Sequence, residues 1–309
     1  MKTRISIKQI LIATLVLAVS STSLRAADDS QEVVTISTAK FGSKLVETWI
    51  KKYAEVRPAV QIRIVDGKNG EADLRFVEGA VGEKDQENVT YVGRYALLPV
   101  TTTENPLYEQ IAHRDFNEKE LKKLFFQNDA FQEIENGKKK DALNEGLTVY
   151  SGTSKSSGAD AFAAYFGYEA NQIRGKRIAG DDLFLLTAIN KDHTGITFNN
   201  LAYLFDLQSR KLKPQLALLP LDLKKDQSNI LSSGNLDEAL QLLETEKVEL
   251  VPIEEIGFIH TDKQSAADFL HWLVTEGQQY NHSAGFLTLD DNQLVQEQRR
   301  LEKQYLSKR

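Results

Sequence analysis

The apolar positions of the chain first gather in a β-branched run, Val33-Val-Thr-Ile-Ser37, and then fall at helical spacing, with Leu45, Val46, Trp49, Ile50 and Tyr53 on one face. Small and polar residues separate the two patterns. The order is therefore strand, loop, helix, which aims free backbone N–H groups and the positive end of a helix dipole at whatever occupies the loop. Val60-Gln-Ile-Arg-Ile-Val65 alternates like a strand, Ala72 to Val77 follows as another, and Asp66-Gly-Lys-Asn-Gly70 between them is a turn by composition. Tyr91 to Val100 is a long β-prone run. The spacing of Leu121, Leu124 and Phe125 predicts a helix over 117–125, with Asn117 as its cap.

A second strand, loop and helix unit follows: Leu147 to Tyr150, the loop Ser151-Gly-Thr-Ser-Lys-Ser-Ser-Gly158, and a helix carrying Ala161, Phe162, Ala164, Tyr165 and Phe166. Two such loops point to one shared site. Further on, Gly195–Phe198 and Leu216–Pro220 read as strands, Asn235–Leu243 as a helix, Val248–His260 as a long β segment and Ala266–Gln278 as an amphipathic helix. This alternation implies an α/β fold with mixed, mostly parallel sheets.

The first residues change the picture. Lys2, Arg4 and Lys8 precede an apolar run from Ile10 to Val19 and a small-residue exit ending at Ala26-Ala27, the layout of an export signal over residues 1–26. The run is too short to span a bilayer. The chain has no cysteine, which excludes a lipid-anchored lipoprotein, disulfides and thiolate metal sites. The expected location is periplasmic or secreted. Cleavage would take the formal net charge from −6 to −10, because Lys2, Arg4, Lys8 and Arg25 leave with no acid. So acidic a chain is a poor partner for nucleic acid or an anionic membrane. The remaining ~280 residues suffice for one large or two medium cores.

Several segments together resemble the periplasmic phosphate-binding proteins that deliver phosphate to ABC importers. They are Thr35–Trp49, similar to that family's strand-GST(T)-helix opening; Asn105-Pro-Leu107, similar to its NPxNPL turn; Phe116–Phe125, similar to its LTxxxLxxIF helix; and Phe269–Gln278 with Gly285–Leu289, similar to its ending. The resemblance runs from about Val33 to Leu289. It implies a two-lobe type 2 periplasmic binding protein fold with a central cleft and hinge. Lobe 1 would comprise residues 28–102 plus 250–309 and lobe 2 residues 103–249, with Tyr91–Val100 and Val248–His260 as crossovers. It also implies a monomer that captures a small inorganic anion, phosphate first, without a cofactor or metal, and hands it to an ABC permease.

Carried over residue by residue, the resemblance places the ligand against the backbone of Ala39, Lys40 and Phe41, the Glu78 carboxyl, and the loop Ser154, Lys155, Ser156 and Ser157. A carboxylate facing phosphate accepts a ligand proton and repels a fully ionised anion such as sulfate. The family's binding Ser is replaced by Ala39, and the Arg of its R-x-x-G-S-G-T loop is absent. Lys40 or Lys155 could supply the missing charge, or Lys40 could be an ordinary solvated lysine. Arg75 and Asp73 share one strand face, where the alternatives are a structural ion pair and a reach of Arg75 into the cleft.

Asp222-Leu-Lys-Lys-Asp226 lacks the Gly and closing Glu of a calcium loop. No catalytic residue is expected: G-x-S-x-G, G-x-x-x-x-G-K-[ST] and H-E-x-x-H are absent, and the five histidines are dispersed. The second function consistent with these eroded loops is a two-lobe fold repurposed as an envelope sensor or assembly component with little phosphate binding.

Overall fold

In a computed structural model the described residues are 32–66, 72–127, 142–153 and 158–306, all within one compact unit that begins at Glu32. The export-signal residues, the 67–70 turn and the loop residues Ser154, Lys155, Ser156 and Ser157 lie outside them. The strands are β1 (Glu32–Ser37), β2 (Val60–Val65), β3 (Leu74–Glu78), β4 (Val89–Thr102), β5 (Thr148–Gly152), β6 (Lys176–Ile178), β7 (Gly195–Asn200), β8 (Phe205–Asp206), β9 (Lys211–Leu212), β10 (Leu216–Leu218) and β11 (Ile253–His260). The main sheet runs β2-β1-β3-β11-β4-β7-β5-β6, and β10 also pairs with β4.

The pairing is parallel toward both ends, where helices return the chain, and antiparallel along the two long crossing strands. β4 pairs with β11 over Val89–Ala96 and with β7 over Leu97–Thr101, so one continuous strand carries the sheet from one lobe into the other. Its positions are nearly all buried, as a strand covered on both faces requires. At Gly257 the register slips, and a Cβ there would lie 2.5 Å from the Thr90 carbonyl oxygen, so the bulge demands glycine.

The helix α1 (Lys40–Val56) buries Leu45, Val46, Trp49 and Tyr53 as its periodicity predicts, and Ile50 packs partly buried beside them. Trp49 is fully buried, a burial that contributes about 2–3 kcal/mol. Its indole N–H donates to Asn281 Oδ1 at 3.1 Å. Asn281, also fully buried, donates in turn to the Val92 and Leu287 carbonyls at 3.2 Å each, tying the C-terminal region to α1 and β4. The helix Glu118–Phe125 has Asn117 as its cap, with a full capping box to Glu120.

The segment Val248–His260 is a strand only from Ile253. Leu250 takes a left-handed conformation (φ 69°) and its N–H donates to the Tyr165 hydroxyl, while Pro252 has no N–H to offer a ladder. Hydrophobicity continues through 248–252, but the backbone turns.

Candidate ligand cleft

β1 and β3 are parallel, and β3 extends beyond the end of β1 to Glu78, so the loop before α1 and the Glu78 side chain share the C-terminal edge of these strands. That edge is where open α/β sheets hold ligands. Ala39 is the N-cap of α1 with no side-chain cap, and its carbonyl accepts from Gly42 N–H and Ser43 Oγ. The Lys40 and Phe41 N–H groups have no acceptor among the described residues, and the first turn holds no acid. Phe41 itself is buried against Phe76, Tyr95 and Phe286, with ring centroids 5.3–5.7 Å away, so only its backbone is free to meet a ligand. Gly42 lets this turn approach the Phe76 ring, which a Cβ would meet at 2.7 Å.

Glu78 is partly buried beside the Tyr95 hydroxyl. Burial, then repulsion from Asp182, Asp160 and Asp181, pushes its carboxyl up to about 8, against the opposing hydrogen bond from Tyr95. At neutral pH it is mostly protonated. Asp182, 7 % exposed, accepts the Gly158 N–H on Oδ2 at 2.8 Å, and Asn199 Nδ2 donates to its backbone carbonyl at 2.8 Å. Burial and the neighbouring Asp181 raise Asp182 to about 6, with the Gly158 bond opposing. Its Oδ1 is buried and has no hydrogen-bond partner among the described residues. Asp181 accepts from the Tyr203 hydroxyl at 2.9 Å and from the Leu183 N–H at 2.8 Å.

Glu78 thus feels three carboxyls from elements later in the chain. Lys40 is exposed with its Nζ 5.9 Å from the Phe184 ring centroid, a cation–π contact from the start of α1 to the helix Leu183–Lys191. Gly158 seats against Leu97 of β4, and its amide is taken by Asp182. Arg75 stays with the structural alternative: it bonds Asp85 at 3.3 Å and is half exposed. Asp73 is held by Thr35 N–H and Oγ1 and by Lys263 Nζ, and these donors outweigh its burial and lower its pKa.

Ala39, Lys40, Phe41 and Glu78 therefore lie near the C-terminal edge of β1 and β3. Sequence reasoning did not single out Tyr95, Asp181, Asp182, Phe184 and Tyr203, which the fold brings toward Glu78 and Lys40. The one available signal was Asp181-Asp182 ahead of the apolar Leu183-Phe-Leu-Leu186, which marks a helix start but not a cleft.

The sheet order and crossing strands are those of the two-lobe type 2 periplasmic binding protein fold. A phosphate ABC transporter substrate-binding protein from Clostridium perfringens with bound phosphate shares it at a TM-score of 0.57 and 13% identity, over 84% of this chain and 100% of that one. An ABC-type phosphate transport receptor from Vibrio cholerae does so at 0.53 and 13%, over 83% and 100%. No family model and no curated relative matches the sequence. Both solved neighbours are binding proteins rather than enzymes. Among the described residues no helix is long and apolar enough to cross a membrane.

Proposed function

We propose that this is an exported, monomeric solute-binding protein that closes around a small oxyanion in a protonated form, phosphate foremost, and delivers it to an ABC permease. The observation that carries the reading is the pair of uncommitted N–H groups at the start of α1 beside a Glu78 carboxyl kept mostly uncharged at neutral pH. A neutral carboxyl donates to an anion and accepts from its hydroxyl without net repulsion. The likeness in fold to two phosphate-binding proteins supports it.

Melting curves with phosphate at pH 5.5 and pH 8 test it. A ligand at a hundred times its dissociation constant adds about 2.7 kcal/mol, and the gain should be larger at pH 5.5. A flat response to phosphate at millimolar concentration at both values would refute the reading. The second function, a repurposed envelope component, is favoured by a different observation: Asp182 already occupies the Gly158 amide and adds negative charge to a cleft without an arginine among the residues described around it. Silence in the melting screen would leave that function standing.

A further inference from the structure

Arg94 and Tyr95 are adjacent on β4, so their side chains leave opposite faces of the strand. Tyr95 turns toward Phe41 and Glu78. Arg94 turns the other way, into an open cavity of about 390 Å³ walled by Tyr165, Glu244, Val248, Val251 and Ile253 and by the last turn of the helix Leu236–Thr245. The cavity is thus separate from the loop before α1.

Thr288 orients both of its inner charges. The Thr288 carbonyl accepts from Arg94 Nε at 2.8 Å, while the Thr288 N–H and hydroxyl donate to Glu244 Oε1 at 2.6 and 2.8 Å. Backbone bonds of 3.0 and 2.8 Å between Arg94 and Leu287 hold the strand in place. His282 Nε2 lies 2.9 Å from the same Glu244 oxygen; burial alone would raise this carboxyl, but the His282 and Thr288 donors overcome it and keep it ionised at neutral pH. Glu255, across the ladder from Arg94, is taken by Gln293. What remains unspent is the Arg94 fork, Nη1 and Nη2, and Glu244 Oε2, none of which has a hydrogen-bond partner among the described residues. A fixed cation and a fixed anion therefore flank an apolar wall without pairing with each other.

We propose that this cavity is a second ligand site, for a small zwitterionic amino acid with an apolar side chain. The Arg94 guanidinium takes the carboxylate on its fork, Glu244 Oε2 and the negative end of the helix Leu236–Thr245 take the ammonium, and Val248, Val251 and Ile253 receive the side chain. A plain anion would sit unanswered beside Glu244, and a plain amine beside Arg94. Nothing in this assignment depends on what the Glu78 corner binds.

Calorimetric titration of the full exported chain with leucine, 4-methylpentanoate and 3-methylbutylamine tests it. The three share one branched body; the second lacks the ammonium and the third the carboxylate. Leucine should bind, and each single-charge analogue should bind at least tenfold more weakly; this arm needs no variant. Arg94→Lys, which keeps the charge and loses the fork, should weaken leucine at least tenfold while the protein still melts cooperatively. No heat with leucine at millimolar concentration, or an analogue that binds as tightly, overturns the zwitterion site. Unchanged leucine affinity in a folded Arg94→Lys places leucine elsewhere and overturns it equally.

Discussion

Replacing Glu78 with Gln should stabilise the protein, and only where the wild-type carboxyl is forced to stay protonated. The folded pKa of about 8 lies above the ordinary 4.5, because burial comes first and Asp182, Asp160 and Asp181 add repulsion. A carboxyl raised in the folded state contributes its stability fully below the unfolded pKa and loses it as pH rises from 4.5 through 8. At pH 7 the unfolded chain has released a proton that the folded chain keeps, a difference worth roughly 3 kcal/mol at most; water at the partly exposed carboxyl reduces this to about 1–2 kcal/mol. Gln retains an acceptor for Tyr95 and removes the charge that Asp182 feels. Melting temperature should rise by about 3–6 °C at pH 7.5 and by nothing measurable at pH 4.5. Equal shifts at the two pH values, or a loss at pH 7.5, would refute the assignment of Glu78 to a repelling carboxyl cluster.

Two further perturbations probe how the lobes are joined. Gly285 has φ 81°, and a Cβ there would lie 3.0 Å from Ala202 Cα, so Gly285→Ala should lower stability by about 1–3 kcal/mol in denaturant unfolding, and an unchanged midpoint would contradict the close approach. His282 Nε2 lies 2.9 Å from Glu244 Oε1; the bond to Glu244 raises the histidine above its usual 6.5, while the His282 and Thr288 donors overcome burial and lower Glu244. The raised histidine loses its contribution as pH climbs through its folded pKa and the lowered carboxylate loses its own as pH falls through its folded pKa, so His282→Ala should cost about 0.5–1 kcal/mol near pH 6 and almost nothing at pH 9; a pH-independent cost would show that packing rather than charge is lost.

The elements legible in the sequence were those whose burial repeats locally. The α1 face and the Asn117 cap each state their own geometry within a few residues, whereas β2, the edge strand, alternates in sequence but leaves Ile64 exposed. Glu78 was reachable through its position at the end of a strand. Asp182 was not, because what gives it meaning is a Gly158 amide 24 residues earlier and a carboxyl on another strand. Lys40 likewise acquires its contact from Phe184, far along the chain. The closing helix Asp291–Leu306 is mostly polar, with Leu301 its fully buried anchor, too sparse a signal to distinguish it from a loop. Leu250 shows the opposite failure: apolar continuity suggested a strand where a left-handed residue and Pro252 stop one.

The place of β11 between β3 and β4 carries a consequence for synthesis. Its strand is made about 150 residues after its two neighbours, so until then β3 and β4 each present an open edge. The first half of the sheet cannot close while the chain is still emerging. Loop closure over such a distance delays folding. Loss of the last sixty residues would leave the same two edges permanently bare and available to other copies, so truncated chains would aggregate rather than persist as half-folded proteins.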